Sequence, residues 1–224
     1  MASRNPYPTA TSFLPPRRTL ASLRAAVPAC RGCDLYEHAT QAVFGAGPAS
    51  ARVVMVGEQP GDAEDRAGAP FVGPAGRLLD EAMTAAALPR DQVYVTNAVK
   101  HFKYTQRGKR RIHDKPTYYQ TQACRPWLDA ELAALDVEVL ILLGATAAQA
   151  LLGRAFRVTQ HRGEVMPTPF APATICTVHP ASVLRAPDDD AREQARLAFF
   201  ADVLTAADCW RGRVRIGRDA QPGA

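Results

Sequence analysis

Short aliphatic runs alternate with longer segments of helical period along this chain. "ARVVMVG" (51–57) is continuously apolar and ends in Gly, as a strand covered on both faces should read. "VYVTN" (93–97), "VEVLILLG" (137–144) and "ATICTVH" (173–179) repeat that signature. In "GPAGRLLDEAMTAAAL", Leu78, Leu79, Ala82, Met83 and Ala86 form one stripe of a helix with Pro74 at its first position. "YYQTQACRPWLDAELAALD" predicts a second helix, bent or interrupted near its start by Pro126. "ATAAQALLG" is a short helix and "ARLAFFADVLTAAD" a closing one. Four strands separated by helices predict an α/β fold: three layers, α/β/α, around a central four-stranded, mainly parallel sheet. Residues 1–19, rich in Pro, Ser and Thr, predict a poorly ordered tail; residues 20–210 form a single domain, and 211–224 a basic tail.

In open sheets of this kind ligands bind beyond the carboxyl ends of the strands. Those ends read "GEQPGD", "TNAVK", "LGATA" and "VHPAS", so one rim is expected to collect Glu58, Gln59, Asp62, Asn97, His113 and His179. The Gly-rich turn after the first strand is neither G-x-G-x-x-G nor a P-loop, which argues against a nucleotide cofactor.

Charge sharpens the expectation. The 224 residues carry a formal +5, but residues 100–115 alone hold seven of the 27 Lys/Arg and one of the 22 acids, a local +6. The rest of the chain balances at −1, so the excess marks one polyanion site, nucleic acid first among candidates. Within it lies "GKRRIHDKP", a predicted loop in which Lys109, Arg110 and Arg111 surround His113. A histidine there either touches phosphate or acts on the substrate. The neighbouring cations disfavour imidazolium and so favour a neutral, nucleophilic ring. The chain is read as a monomer in the cytoplasm, nucleoid-associated, with no signal peptide and no membrane span.

Five cysteines do not make a complete disulfide framework. "CRGC" sets Cys30 and Cys33 on one metal, and Cys124 in "ACRPW" is a third donor. Spacing alone permits Cys₃His zinc as readily as an iron–sulfur cluster. Cys176, inside a strand, and Cys209, near a helix end, read as ordinary thiols.

Taken in order, "GEQPGD", "PFVGPAGRLLD", "TNAVKHFK", "GKRRIH", "ACRPWL", "LLGATAA", "VTQHRGEV" and "VHPAS" resemble the uracil-DNA glycosylase superfamily over Cys30 to Ala207. The family-four branch is nearest, and "GKRRIH" resembles its UdgX type, whose members crosslink to DNA. The resemblance implies excision of uracil from DNA, single-stranded DNA included. Phe71 becomes the platform for the flipped base, with Asn97 and the backbone of Gln59, Gly61 and Asp62 reading its edge. Alone, a Phe beside Val72 would read as core and Asn97 as a turn residue. His179 is implied to bond uracil O2 as charge develops, Glu58 to stabilise the sugar cation, and His113 to attack C1′ afterwards. Lys109, Arg110 and Arg111 face phosphate. Ala181 stands where many relatives have Ser, and Ser182 is expected to take that phosphate contact. A [4Fe-4S] cluster is implied on Cys30, Cys33, His101 and Cys124, the histidine standing after "VK" where relatives have cysteine. A turnover glycosylase in which His113 only contacts phosphate, and a non-catalytic metal-stabilised DNA-binding module, are the alternatives.

Overall fold

A computed structural model describes residues 8–214. Among the described residues there are seven strands: β1 (Val53–Gly57), β2 (Val93–Asn97), β3 (Tyr104–Arg107), β4 (Arg110–His113), β5 (Val139–Leu143), β6 (Val165–Thr168) and β7 (Ala171–Thr177). The central sheet runs β2-β1-β5-β7-β6 and is parallel except for the β6 edge, which pairs antiparallel with β7. It therefore has five strands, not four. β6 escaped the sequence pattern because "VMPT" is a four-residue, half-buried edge with a Pro, without the continuous apolar run of its neighbours.

The α-helices among the described residues are α1 (Leu20–Ala26), α2 (Asp62–Ala67), α3 (Pro74–Ala85), α4 (Tyr118–Ala133), α5 (Ala145–Leu152), α6 (Pro180–Leu184) and α7 (Asp189–Trp210). Alternate residues of a strand face opposite sides, and both sides here are covered. Val53, Met55, Ile141 and Ile175 pack with α3 and α7; Val54, Val56, Leu140 and Leu142 pack with α4 and α5. Thr117 and Gln120 cap α4 reciprocally, at 3.2 and 2.8 Å. Of the bend or interruption expected at Pro126, the interruption does not occur and the helix runs on: Cys124, Trp127 and Leu128 are all buried, and this packing outweighs one missing backbone donor.

A third core, away from the sheet, gathers Leu23, Cys30, Cys33, Phe44, Val99, Cys124 and Trp127. Ala10 joins it, fully buried, although most of residues 8–19 are exposed; residues 1–7 and 215–224, the rest of the two tails, lie outside the described residues. No helix among the described residues is long and apolar enough to cross a membrane.

Candidate active site

Beyond the carboxyl ends of β1, β2 and β7 opens a cavity of about 540 Å³, in the size range of small-molecule sites. Glu58, Gln59, Gly61, Asp62, Phe71, Asn97, His113 and His179 all line it. The topology brings together residues up to 121 positions apart in the chain.

Its floor is crowded. Asn97, the last residue of β2, is 3% exposed, yet nothing among the described residues bonds its carboxamide, which is left for a ligand. Gly57 pairs with Asn97 across the sheet; a Cβ there would collide with Asn97 Oδ1 and come within 2.8 Å of Phe71 Cζ. Phe71 holds φ at +59°, a conformation that costs about 1–3 kcal/mol for a non-glycine residue. Glu64 supports it from below. One carboxylate oxygen accepts from Gly73 N at 2.8 Å and the other from Gly61 N at 3.0 Å, joining the two turns that frame the ring.

His179 caps α6, its Nδ1 accepting from Ala181 N at 3.2 Å. With Nδ1 as acceptor, the proton of the neutral ring sits on Nε2 and can be donated into the cavity. Burial, with the nearby His113 and Arg185, pushes its pKa down to about 4, so the ring is neutral near pH 7. It lies nearly parallel to Phe71, centroids 6.4 Å apart. Ser182, the expected phosphate donor, spends its hydroxyl proton on His179 O at 2.7 Å.

The basic loop is a hairpin. β3 and β4 pair antiparallel from Tyr104↔His113 to Arg107↔Arg110, leaving a two-residue turn, Gly108–Lys109, with φ +58° at the glycine. Its strands are almost wholly exposed and follow no apolar alternation, which hid them from the sequence pattern. Gln59 fastens the hairpin's open end: Nε2 donates to Lys103 O and Asp114 O at 3.1 and 3.0 Å, and Oε1 accepts from Lys103 N at 3.1 Å. The side chain of Gln59 thus faces the hairpin, leaving only backbone for a ligand.

Arg111, expected at phosphate, turns inward. Its guanidinium pairs with Asp62 and, at 2.6 Å, with the buried Asp65, and lies over the rings of Phe102 and Tyr104. Lys100 is fully buried and Lys103 pairs with Asp114 at 3.3 Å. Of the seven cations of this segment, Arg107, Lys109, Arg110 and Lys115 are exposed without a carboxylate partner among the described residues. The outward patch is four charges, not seven.

These fastenings set His113 at the cavity edge, 48% exposed, with Nε2 3.4 Å from Glu58 Oε1. Glu58 Oε2 accepts from the hydroxyl of Thr146, at the start of α5. Thr146 went unremarked in the sequence although "LGATA" is one of the four strand exits. Leu184 and Arg185, at the end of α6, complete the lip and were also missed, since nothing in their spacing separates them from an ordinary helix end.

Cys30, Cys33 and Cys124 lie buried in the third core. Trp127 Nε1 donates to Cys30 Sγ, and Lys100 N to Cys124 Sγ, both at 3.2 Å. Burial raises the Cys33 pKa to about 11 and that of Cys124 further. His101 is buried too; desolvation and the charge of Arg31 bring it down to about 4, leaving a neutral imidazole. Among the described residues no three His, Cys, Asp or Glu side chains converge on one ion-sized point. Cys176 is an inert strand thiol, raised by burial to about 12.

Residues 44–204 match the family model of the uracil DNA glycosylase superfamily. The chain is similar to the type-4 uracil-DNA glycosylase of Pyrobaculum aerophilum, 34% identical over 188 residues, covering 81% of this chain and 92% of that one. The type-4 enzyme of Thermotoga maritima is 35% identical over 157 residues, 70% and 78% of the two chains. That of Archaeoglobus fulgidus is 40% identical over 120 residues, 54% and 57%.

Proposed function

The chain belongs to the uracil DNA glycosylase superfamily, and on that footing we propose that it excises uracil from DNA and then joins itself to the abasic sugar through His113. The observation that carries the excision step is the convergence of Phe71, Asn97, His179 and Glu58 on one cavity. An extruded uracil stacks on Phe71 while Asn97 pairs with its polar edge. As the C1′–N1 bond breaks, its electrons pass to the base, and the Nε2–H of His179 bonds the O2 on which charge collects. Glu58 faces the positive charge left on the sugar. Leu184, an exposed aliphatic chain on the lip, suits the gap that the extruded nucleotide leaves in the stack.

Capture is supported by the short reach from His113 Nε2 to Glu58 Oε1. As Nε2 bonds C1′, its proton passes to Glu58 and on to the uracil anion. Uracil leaves as the neutral base and a neutral alkylimidazole remains on the protein. Water in place of His113 gives ordinary turnover, the reading favoured by the similarity to type-4 enzymes. A denaturing gel after mixing with uracil-containing single-stranded DNA separates the two. Capture gives a slow, heat- and detergent-resistant band, absent with thymine DNA and lost in His113→Ala. Catalytic accumulation of free abasic DNA selects turnover. No base release by the wild-type protein selects the non-catalytic DNA-binding module. Glu58→Gln is expected to slow release by about 10²–10⁴-fold with DNA affinity kept.

Cys30, Cys33, Cys124 and His101 are proposed to hold a [4Fe-4S] cluster. A Cys₃His set would serve zinc as well, and the choice of iron rests on the resemblance to the family-four enzymes. The N–H···S bonds suit cluster sulfurs. The cluster's contribution is to brace the segment between His101 and Cys124, which carries the hairpin. A brown protein with bound iron and sulfide is expected; a colourless one with a single zinc overturns the assignment.

A further inference from the structure

Charged side chains are almost never fully buried unless paired, and among the described residues three are: Asp65, Lys100 and Glu131. Lys100, three residues past Asn97, and Glu131 on α4 form an ion pair with no exposed surface. Both are fully satisfied. Lys100 Nζ donates to Glu131 Oε2, to Thr96 Oγ1 at 2.7 Å and to the backbone oxygen of Asn97 at 2.8 Å. Glu131 also accepts from Gly45 N at 3.0 Å, the Tyr94 hydroxyl at 2.7 Å and the Thr96 hydroxyl at 3.0 Å.

Stability alone is a weak reason for such a pair, because well-packed apolar residues of similar volume serve a core as well or better. What apolar residues cannot supply is a donor to the Asn97 carbonyl. The peptide that follows Asn97 is gripped at both ends: its carbonyl by Lys100, and its N–H, on Ala98, by Gly57 O at 2.9 Å. The Asn97 carboxamide hangs from that fixed peptide into the cavity. The grip continues outward, since Lys100's own N–H donates to Cys124 Sγ and Glu131 lies seven residues along α4 from Cys124.

We infer that Lys100 and Glu131 are positioning residues for base recognition: neither touches the cavity, and together they set the Asn97 carboxamide in register with the base while tying that register to the cysteine core. The inference rests on the reading of the cavity as a uracil site.

The test is the double variant Lys100→Met/Glu131→Leu, which removes both charges and leaves neither unpaired. Its affinity for free uracil and its excision rate are expected to fall about 10–100-fold. Affinity for abasic-site DNA should stay near wild type, because no exposed cation is lost, while the melting temperature falls, since Gly45 N, the Tyr94 hydroxyl and the Asn97 carbonyl lose buried partners. Thr96→Val, which removes only the shared hydroxyl, should lose uracil affinity several-fold and serves if the double variant does not fold. A folded variant with wild-type uracil affinity and rate overturns the inference, as does a parallel fall in uracil and abasic-DNA affinity. A wild-type protein that neither binds nor excises uracil overturns the functional reading, and this inference with it; that pattern is distinct from a variant matching an active wild type.

Discussion

Asn97, Phe71 and His179 stand on the cavity floor because packed backbone leaves them little choice, whereas His113 reaches the same cavity on an exposed hairpin held by polar contacts. The floor is defined by steric exclusion: Asn97 Oδ1 and the Phe71 ring fill the space over Gly57, and His179 is fixed as a helix cap. The arm is defined by fastenings, Gln59 at its open end and Arg111 along its length. Interiors pack like organic crystals and respond in steps to intrusion, while partly exposed hydrogen bonds contribute modestly and singly. Recognition of the base is thereby separated from whatever happens to the sugar afterwards.

The largest expected effect comes from striking the floor. Gly57→Ala inserts one methyl between Asn97 and Phe71, costing roughly 1–3 kcal/mol of stability. A shift of the reading groups by about an ångström should slow excision by about 10²-fold. Single-turnover base release, with the hairpin untouched, measures it; an excision rate within a factor of two of wild type would show that the floor yields more easily than its packing implies.

Striking the arm should do less, and differently. Gln59→Ala removes three hydrogen bonds at about 1 kcal/mol or less each. Adduct formation is expected to slow about tenfold while uracil release keeps its rate, so free abasic DNA rises relative to the crosslinked band. Equal slowing of both would mean that the hairpin is part of the recognition floor and that floor and arm act as one unit.

The same division explains what the sequence made legible. β1, β2, β5 and β7 are buried on both faces and announce themselves as aliphatic runs, so the four exits and the rim residues on them could be read directly. The β6 edge is short and carries Pro167, and the hairpin and α2 are held by polar contacts between distant residues, which no local periodicity encodes. For the same reason Arg111 read as a phosphate ligand: its acidic partners, Asp62 and Asp65, lie 49 and 46 residues away. Lys100 was counted with the surface cations because Glu131, 31 residues on, is invisible from the basic segment. The roles of Phe71 and Asn97 came from resemblance, not from their own pattern.

A smaller effect belongs to the floor at low pH. The folded-state pKa of His179, about 4, lies below the ordinary imidazole value of 6.5. Between those values the unfolded chain binds the proton that the folded one refuses, so stability is full above pH 6.5 and falls as pH drops toward 4. For this largely but not fully buried ring the loss is on the order of 1–2 kcal/mol. His179→Asn, which can still cap α6, should flatten urea-unfolding stability across that window; an unchanged slope would place the acid sensitivity elsewhere.

The mildest test addresses the tip of the arm. Lys109 and Arg110 project from the hairpin turn without carboxylate partners among the described residues, while Lys100 and Arg111 are neutralised inside. Binding to single-stranded DNA weakens with salt by about 0.7 in logarithmic slope for each phosphate neutralised. Lys109→Ser/Arg110→Ser should therefore lower the slope of log affinity against log salt by about 1.4, and excision at saturating DNA should stay within about twofold of wild type. The Lys100→Met/Glu131→Leu variant should leave the slope where it was. If instead the turn variant keeps its salt slope, the DNA backbone runs past Arg107 on the other strand of the arm and Lys115 beyond its root, and the turn touches no phosphate.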